Sequence, residues 1–214
     1  NDLVVLVQQD MYLPVGWDGR FAAQVARAER EFGRLGVVGL FGIRYRAGEP
    51  THHGRVVDRD RLLDFSNELP AVVDGLDEIL LAVRRDSGLR ADPQLGFHFD
   101  GADLALSAAA AGLVNVVVDA AAFHNSLFAE VNRAFNVARE AVLEKWPDVR
   151  PLYTNMGPAD AMTTPPEPEQ PRDLEAEIAE LQGRLDESDR RLAAVLDSRT
   201  WRIGRTVARA VGRR

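Results

Sequence analysis

Acidic and imidazole side chains follow apolar segments of the chain, and together they could bind a divalent cation. Asp10 follows an apolar run and two glutamines, Asp100 and Asp103 open an alanine-rich segment, and His124 follows a run rich in valine. Carboxylate and imidazole groups suit Mg²⁺ or Mn²⁺, which also bind diphosphates. A carboxylate apart from the ion could accept a proton from a reacting hydroxyl, as a general base does. The pattern predicts metal-assisted chemistry on a diphosphate-containing substrate.

Strands of a buried sheet are the elements expected to hold these side chains. Leu3–Val7 is apolar throughout, without alternation, which is typical of a strand covered on both faces in a parallel sheet. Similar runs at 37–43, 79–83 and 114–118 predict further strands. Because open α/β sheets place ligands at the carboxyl ends of parallel strands, the acidic and imidazole side chains are expected to share one cleft. The predicted fold is α/β, with a Rossmann-like, mostly parallel sheet.

Helices and loops complete this domain. Apolar residues at helical spacing predict helices over 21–32 and 127–145. The alanine-rich segment predicts a short helix that ends at Gly112. Residues 44–60 are polar and glycine-rich, so we expect a loop there with a short hairpin at 54–58.

The composition of the chain limits the functions that it can have. The 214 residues carry a net charge of −7, which argues against a general polyanion binder, and no nucleic-acid partner is expected. The absence of cysteine excludes disulfides and thiolate metal sites and favours a reducing compartment, hence a cytoplasmic location. No run approaches the roughly 20 apolar residues of a membrane span, and no signal peptide is visible. Because the chain opens almost directly on a core strand, we expect it to lack an upstream βαβ region.

The C-terminal part differs in composition from the domain at residues 1–157. A proline-rich linker is predicted at 158–172, and a heptad pattern at 173–198 predicts a coiled-coil helix through which the chain self-associates. Residues 199–214 hold six arginines, one tryptophan and no acid, which favours an amphipathic helix on an anionic membrane surface. The alternative is a solvated tail. The expected location therefore includes the inner face of the membrane.

Three short motifs resemble those of family 2 glycosyltransferases, which have the GT-A fold, in the branch typified by a streptomycin-biosynthesis protein. Residues 7–17 resemble the strand-end aspartate motif, and residues 101–106 resemble the acidic motif that opens the acceptor-site helix. Residues 123–126 resemble the downstream histidine motif. The resemblance covers roughly residues 1–155 and implies a partial GT-A domain that transfers a sugar from a nucleotide-sugar donor to a glycan or lipid-linked acceptor.

The resemblance also implies roles for single residues. Asp10 would hold a divalent metal on the donor diphosphate, and His124 would complete the metal shell. Asp103 would be the catalytic base that deprotonates the acceptor hydroxyl, with inversion at the anomeric carbon. The residues expected to line the substrate site are Gln9, Trp17, Asp100 and Gly101.

The sequence departs from the family pattern in ways that allow an alternative function. Gln8 stands where a first aspartate is usual, and Ala102 stands where a glutamate often precedes the base. In this family the N-terminal half of the domain binds the nucleotide base. That half is not in this sequence, so the chain is expected to be inactive alone. The alternative function is a non-catalytic, degenerate transferase that acts as a binding or scaffold protein and oligomerises through its C-terminal helix.

Each site residue also has a structural alternative. Asp10 could cap the following turn, and Asp103 could cap the alanine-rich helix. His124 could be a structural histidine, and Trp17 could pack against the sheet rather than stack on a sugar.

Overall fold

The structure is a computed structural model. It describes residues 2–46, 49–59, 61–65, 68–96, 98–125, 133–149, 151–154 and 157–162, with Gln182, Gly183 and Arg190. The chain divides into two units, Asn1–Pro165 and Pro166–Arg214, and the boundary lies inside the predicted linker at 158–172. In the second unit the three described residues are helical and exposed. The predicted coiled coil at 173–198 and tail at 199–214 otherwise lie outside the described residues.

The first unit is a mixed α/β fold, which is the predicted class in its coarse form. Its helices are α1 (Trp17–Phe32), α2 (Asp100–Ala110) and α3 (Arg133–Lys145). Its strands are, in chain order, β1 (Leu3–Val7), β2 (Met11–Tyr12), β3 (Leu35–Gly39), β4 (Phe41–Arg46), β5 (Glu49–Asp58), β6 (Arg61–Asp64), β7 (Ala71–Val72), β8 (Gly75–Leu76), β9 (Leu80–Arg84), β10 (Val114–Val117), β11 (Phe123–His124), β12 (Tyr153–Thr154) and β13 (Gly157–Pro158). Among the described residues, no helix is long and apolar enough to cross a membrane.

A five-stranded sheet in the order β1-β9-β3-β10-β7 forms the centre of this unit. Strand β9 runs antiparallel to both β1 and β3, and β7 runs antiparallel to β10. The pair β3 and β10 is parallel. The expectation of a mostly parallel sheet is therefore not confirmed in the described residues. The physical reason is that an apolar run reports burial and strand propensity but carries no information on strand direction.

The expectation that Leu3–Val7 is covered on both faces was wrong. The side chains of Val4, Val5, Leu6 and Val7 are 36–42% exposed, although their types suit a core. The strand lies at the end of the sheet order and pairs with β9. An unbroken apolar run therefore identified the strand but not its place at a sheet edge.

The second sheet has the order β2-β11-β5-β4-β8, and β6 pairs with β5. The ten-residue strand β5 occupies most of the segment 44–60 for which a loop was predicted, and that prediction was wrong. Its register runs from Phe41 opposite Gly54 to Arg46 opposite Glu49. A Cβ at Gly54, which has φ 131°, would collide with the carbonyl oxygen of Leu40. The glycine that suggested a loop instead permits a close approach of two strands.

Helix α2 is tied to the central sheet through a buried polar residue. Asn115 on β10 is 4% exposed. Its Oδ1 accepts a hydrogen bond from the Val37 amide at 3.0 Å, and its Nδ2 donates to the Ala105 carbonyl at 2.8 Å. Buried amides persist where both of their polar atoms are satisfied, as they are here. Asn115 thereby fixes α2, with the acids at its start, against β3 and β10.

The predicted helices are present where the chain is described. Helix α1 covers 21–32 and starts four residues earlier, at Trp17. Helix α2 begins at Asp100, ahead of the alanine-rich run. Helix α3 covers the described part of the helix predicted at 127–145, and it ends before Trp146 and Pro147, as expected for a helix that meets a proline.

Candidate functional site

The backbone of β11 brings together side chains from distant parts of the sequence. Strand β11 lies between β2 and β5, parallel to β5 and with His124 directly opposite Asp58. The Arg59 amide donates to the His124 carbonyl at 2.7 Å, and the Asn125 amide donates to the Asp10 carbonyl at 2.9 Å. These bonds hold the ends of three segments together, so their side chains meet.

The imidazole of His124 lies between two carboxylates. Its Nε2 is 3.5 Å from Asp10 Oδ1, and its Nδ1 is 3.3 Å from Asp58 Oδ1. The side chains are partly exposed, 16% for His124 and 24% for each aspartate. Both Oδ1 atoms are buried and have no hydrogen-bond partner in the part of the chain that the structure describes. The structure thus brings together the two predicted metal ligands, Asp10 and His124.

The pair of Asp10 and His124 fits a partial metal site. One carboxylate oxygen faces one imidazole nitrogen at 3.5 Å, and two ligands about 2.1 Å from one ion can be that far apart. Within the described residues, no three His, Asp or Glu side chains could hold an ion by themselves. Mg²⁺ is commonly bound by one or two protein groups, with waters and substrate phosphates in the other positions. The buried, unpartnered Asp10 oxygen is a suitable ligand for such an ion.

Three further acids extend this site towards α2. The Gln8 amide donates to the Ile79 carbonyl at 3.2 Å, so the turn that carries Asp10 lies beside Asp77 and Glu78. Burial raises the pKa of Asp77, while the charge of His124 lowers it. We call the set of Asp10, Asp58, Asp77, Glu78 and Asp100, with His124, the acidic region.

The carboxyl groups of Glu78 and Asp100 also have raised pKa values. Burial, with the charges of Asp77 and Asp100, raises the pKa of Glu78 to about 8. Burial, with the charges of Asp103 and Asp92, raises the pKa of Asp100 to about 6. A carboxyl with a pKa near neutrality can exchange a proton at working pH, which is a property of general bases and acids.

Asp100 is held at the first position of α2 by an unusual backbone. Phe99, which precedes it, has φ 63° in the left-handed region and a side chain that is 3% exposed. Such a conformation costs on the order of 1 kcal/mol for a residue other than glycine, and packing of the Phe99 ring fixes it here. The Oδ1 of Asp100 is buried and has no hydrogen-bond partner among the described residues.

Asp103, the predicted catalytic base, has a different setting. Its side chain is 1% exposed, one oxygen accepts a hydrogen bond from Trp146 Nε1 at 2.8 Å, and the other accepts one from Lys145 Nζ at 2.9 Å. Neither oxygen faces solvent in this geometry, which argues against the role of base expected for Asp103. The contacts support a structural role, in which Asp103 joins α2 to the end of α3. It is not the cap of α2 either, because the helix starts at Asp100.

Two of the predicted substrate-binding residues are structural. Trp17 is 6% exposed, its Nε1 donates to the Ala120 carbonyl at 2.8 Å, and its ring stacks on Phe21 with centroids 4.7 Å apart. It packs in the core, so it cannot stack on a sugar. Gly101 is buried, and a Cβ there would collide with the carbonyl oxygen of Leu76, which explains the glycine without a ligand. Gln9 is exposed in the turn after β1.

Sequence reasoning missed Asp58, Asp77 and Glu78. Asp58 lies at the end of β5, in the segment interpreted as a loop. Asp77 and Glu78 lie one residue ahead of β9, at the amino end of a strand rather than at the carboxyl end where ligands are expected. The adjacent acids ahead of a buried apolar run were the available signal.

Known proteins add no assignment: no protein-family model matches the chain, and no curated protein sequence matches it.

Proposed function

We propose that the first unit is a glycosyltransferase domain that transfers a sugar from a nucleotide-sugar donor, with inversion and with Mg²⁺ or Mn²⁺. The observation that carries this proposal is the approach of Asp10 Oδ1 to His124 Nε2, at 3.5 Å; this carboxylate oxygen has no hydrogen-bond partner among the described residues. Asp10 and His124 are far apart in the sequence but close in space, as ligands of one metal ion must be. The resemblance of their motifs to those of family 2 glycosyltransferases supports the same role.

In this proposal Asp10 and His124 hold the metal and thereby position the donor diphosphate beside the acidic region. The ion, when bound, neutralises the negative charge of the leaving diphosphate. Asp10 contributes a carboxylate and His124 a neutral imidazole nitrogen, a ligand pair that suits both Mn²⁺ and Mg²⁺.

Asp100 takes the role of the general base in place of Asp103. It is partly exposed, its pKa is raised to about 6, and its Oδ1 has no hydrogen-bond partner among the described residues. The acceptor hydroxyl gives its proton to Asp100, and its oxygen attacks the anomeric carbon from the face opposite the diphosphate. The bond from that carbon to the diphosphate oxygen breaks, and the electron pair leaves with the diphosphate. Attack from the opposite face inverts the anomeric configuration.

The proposal extends to partners and location through the sequence alone. The acceptor is a glycan or lipid-linked glycan, residues 173–198 associate with a second copy, and residues 199–214 bind an anionic membrane surface at the cytoplasmic side. Metal and nucleotide binding is the readout for the proposed metal site, and turnover is the readout for the proposed catalytic role of Asp100.

The second candidate function is a degenerate transferase that binds without catalysis. Gln8 favours it, because an amide replaces one carboxylate of the usual metal motif. The burial of Asp103 favours it too, because the acid that the family motif implies as base is already paired with Lys145 and Trp146. The two functions differ in one prediction: both bind a metal and a nucleotide, and only the first requires Asp100.

Mn²⁺ titration followed by electron paramagnetic resonance tests the metal site directly. We expect a bound Mn²⁺ whose affinity rises when a nucleoside diphosphate is added, and Asp10→Asn and His124→Ala should each weaken binding at least tenfold. Asp119→Asn is the matched control, because it removes an exposed carboxylate that pairs with Arg55. Equal Mn²⁺ affinity in all four proteins would reject the proposed site.

A further inference from the structure

We propose that Asp58 is the positioning residue of His124: its carboxylate accepts the Nδ1 proton of the imidazole and so leaves Nε2 unprotonated and facing Asp10. This inference rests on the proposed function, since it concerns the same metal site. It assigns a role to a residue that none of the sequence motifs includes. It also gives the site a second carboxylate that could offset the presence of Gln8.

The geometry makes Asp58 a partner of the ring rather than a ligand of the same ion. Asp10 approaches Nε2 and Asp58 approaches Nδ1, so the two carboxylates lie on different sides of the imidazole. A single ion bound to Nε2 and Asp10 cannot also be reached by an oxygen beside Nδ1. The available role for Asp58 is to accept the Nδ1 hydrogen.

The backbone fixes this arrangement before any ion binds. Asp58 and His124 are directly opposite in the parallel register of β5 and β11, so their side chains emerge on the same face of the sheet. The hydrogen bond from the Arg59 amide to the His124 carbonyl locks that register. At 3.3 Å the Nδ1 to Oδ1 approach needs only a small side-chain rotation to become a hydrogen bond, and such bonds are commonly long before a ligand binds.

Physical chemistry favours this use of a buried carboxylate. A histidine that binds a metal through one nitrogen almost always donates its other N–H to a carboxylate, a carbonyl or water, which fixes the tautomer and raises the basicity of the ligand. The Asp58 oxygen is buried and has no hydrogen-bond partner in the described part of the chain, which is costly unless a donor approaches it. His124 Nδ1 is the neighbouring donor that can satisfy it.

The tautomer of His124 is the direct readout. The chain has 4 histidines, so long-range ¹H–¹⁵N correlation spectra of the full chain with saturating Mg²⁺ are simple to assign, with His124→Gln identifying the signal. We expect His124 to be protonated at Nδ1. In Asp58→Ala we expect a mixture of tautomers. A purely structural role for Asp58 would change stability in urea but not the tautomer.

Mn²⁺ affinity is the second readout, because loss of the carboxylate behind a ligating histidine typically weakens metal binding about 10–100-fold. We expect that loss in Asp58→Ala. We expect a substantially smaller loss in Asp58→Asn, because the amide oxygen can still accept the Nδ1 hydrogen. Asp64→Asn, on the neighbouring strand β6 and paired with Arg55, controls for the loss of one negative charge and should leave affinity unchanged.

The outcomes separate this inference from the proposed function. If Asp10→Asn abolishes Mn²⁺ binding while Asp58→Ala changes neither affinity nor tautomer, the role of Asp58 is refuted and the metal site stands. If Asp58→Asn is as weak as Asp58→Ala, the charge of Asp58 and not its orientation of His124 is what matters, and the positioning role is refuted. If the unmodified chain binds no Mn²⁺, the proposed function and this inference fall together.

Discussion

Substitution of Asp103 tests whether its carboxylate has a structural or a catalytic role. Asp103 is 1% exposed, and its oxygens accept hydrogen bonds from Lys145 at 2.9 Å and from Trp146 at 2.8 Å. Hydrogen bonds to charged groups contribute about 1.5–3 kcal/mol each, and removal of one partner of a buried ion pair costs about 3–5 kcal/mol. Lys145 is 36% exposed and retains Asp92 as a partner, which places the cost near the lower end.

We therefore expect Asp103→Ala to lower the free energy of unfolding by about 3 kcal/mol. With a urea m-value of about 2 kcal/mol/M, the unfolding midpoint should fall by about 1.5 M without a change in m. Urea unfolding followed by tryptophan fluorescence measures this, since Trp146 itself reports on the site. Asp92→Ala is the matched control: it removes the more exposed partner of the same lysine and should shift the midpoint much less.

Measurement of sugar-transfer activity completes the test. Asp100→Asn should lower kcat about 10²–10⁴-fold, the usual contribution of a general base, with little change in stability. Asp103→Asn should mainly destabilise, and turnover per folded molecule should be retained. A stable Asp103→Asn protein without turnover, beside an active Asp100→Asn protein, would refute the assignment and restore Asp103 as the base.

Three further changes test the packing around the site. Because burial raises the pKa of Glu78 to about 8, the folded protein keeps a proton that the unfolded chain loses above its ordinary value near 4.5, so the free energy of unfolding should fall as pH rises from about 5 to 8. Glu78→Gln should flatten this slope in urea titrations at successive pH values, and an unchanged slope would contradict the burial argument. Asn115→Ala leaves the buried Val37 amide without its acceptor and should cost about 2 kcal/mol in urea unfolding, whereas a loss below about 1 kcal/mol would mean that water replaces the side-chain amide. Gly101→Ala should prevent α2 from starting where it does and lower the melting temperature strongly, while Gly19→Ala, in open space on α1, should stabilise by about 0.5–1 kcal/mol; similar melting temperatures for both would refute the steric argument.

The sequence allowed the strands and helices to be predicted where an apolar run or a helical spacing of apolar residues is clear. The apolar runs at β1, β9 and β10 and the helical spacing of α1 all correspond to elements of the structure. Strand direction could not be predicted, because an apolar run has the same appearance in either direction. The segment that became β5 was misassigned because its polar residues and Gly54 resemble a loop when the pairing with β4 is not known.

The candidate site could likewise be predicted only in part from the sequence. Asp10 and His124 meet because each lies at the end of a short segment that the second sheet aligns, and a prediction based on strand ends captures that. Asp100 and Asp103 could not be distinguished, because both precede the same alanine-rich run three residues apart. What separates them is the position of Lys145 and Trp146 at the end of α3, a contact that depends on tertiary packing.

The charge of the acidic region is the reason to assign function to it rather than to any other part of the first unit. Asp10, Asp58 and Asp100 each keep a buried carboxylate oxygen that has no hydrogen-bond partner among the described residues. A protein selected for stability alone would pair or expose such groups, because an unpartnered buried carboxyl costs more than a single hydrogen bond contributes. Their retention, with Asp10 and Asp58 beside His124 and Asp100 beside Glu78, is expected where a cation and a hydroxyl provide the missing partners when substrate binds. Binding of Mn²⁺ together with a nucleoside diphosphate should therefore raise the melting temperature of the chain by more than the sum of the increases that each causes alone. An additive effect would mean that the ion and the diphosphate occupy separate sites.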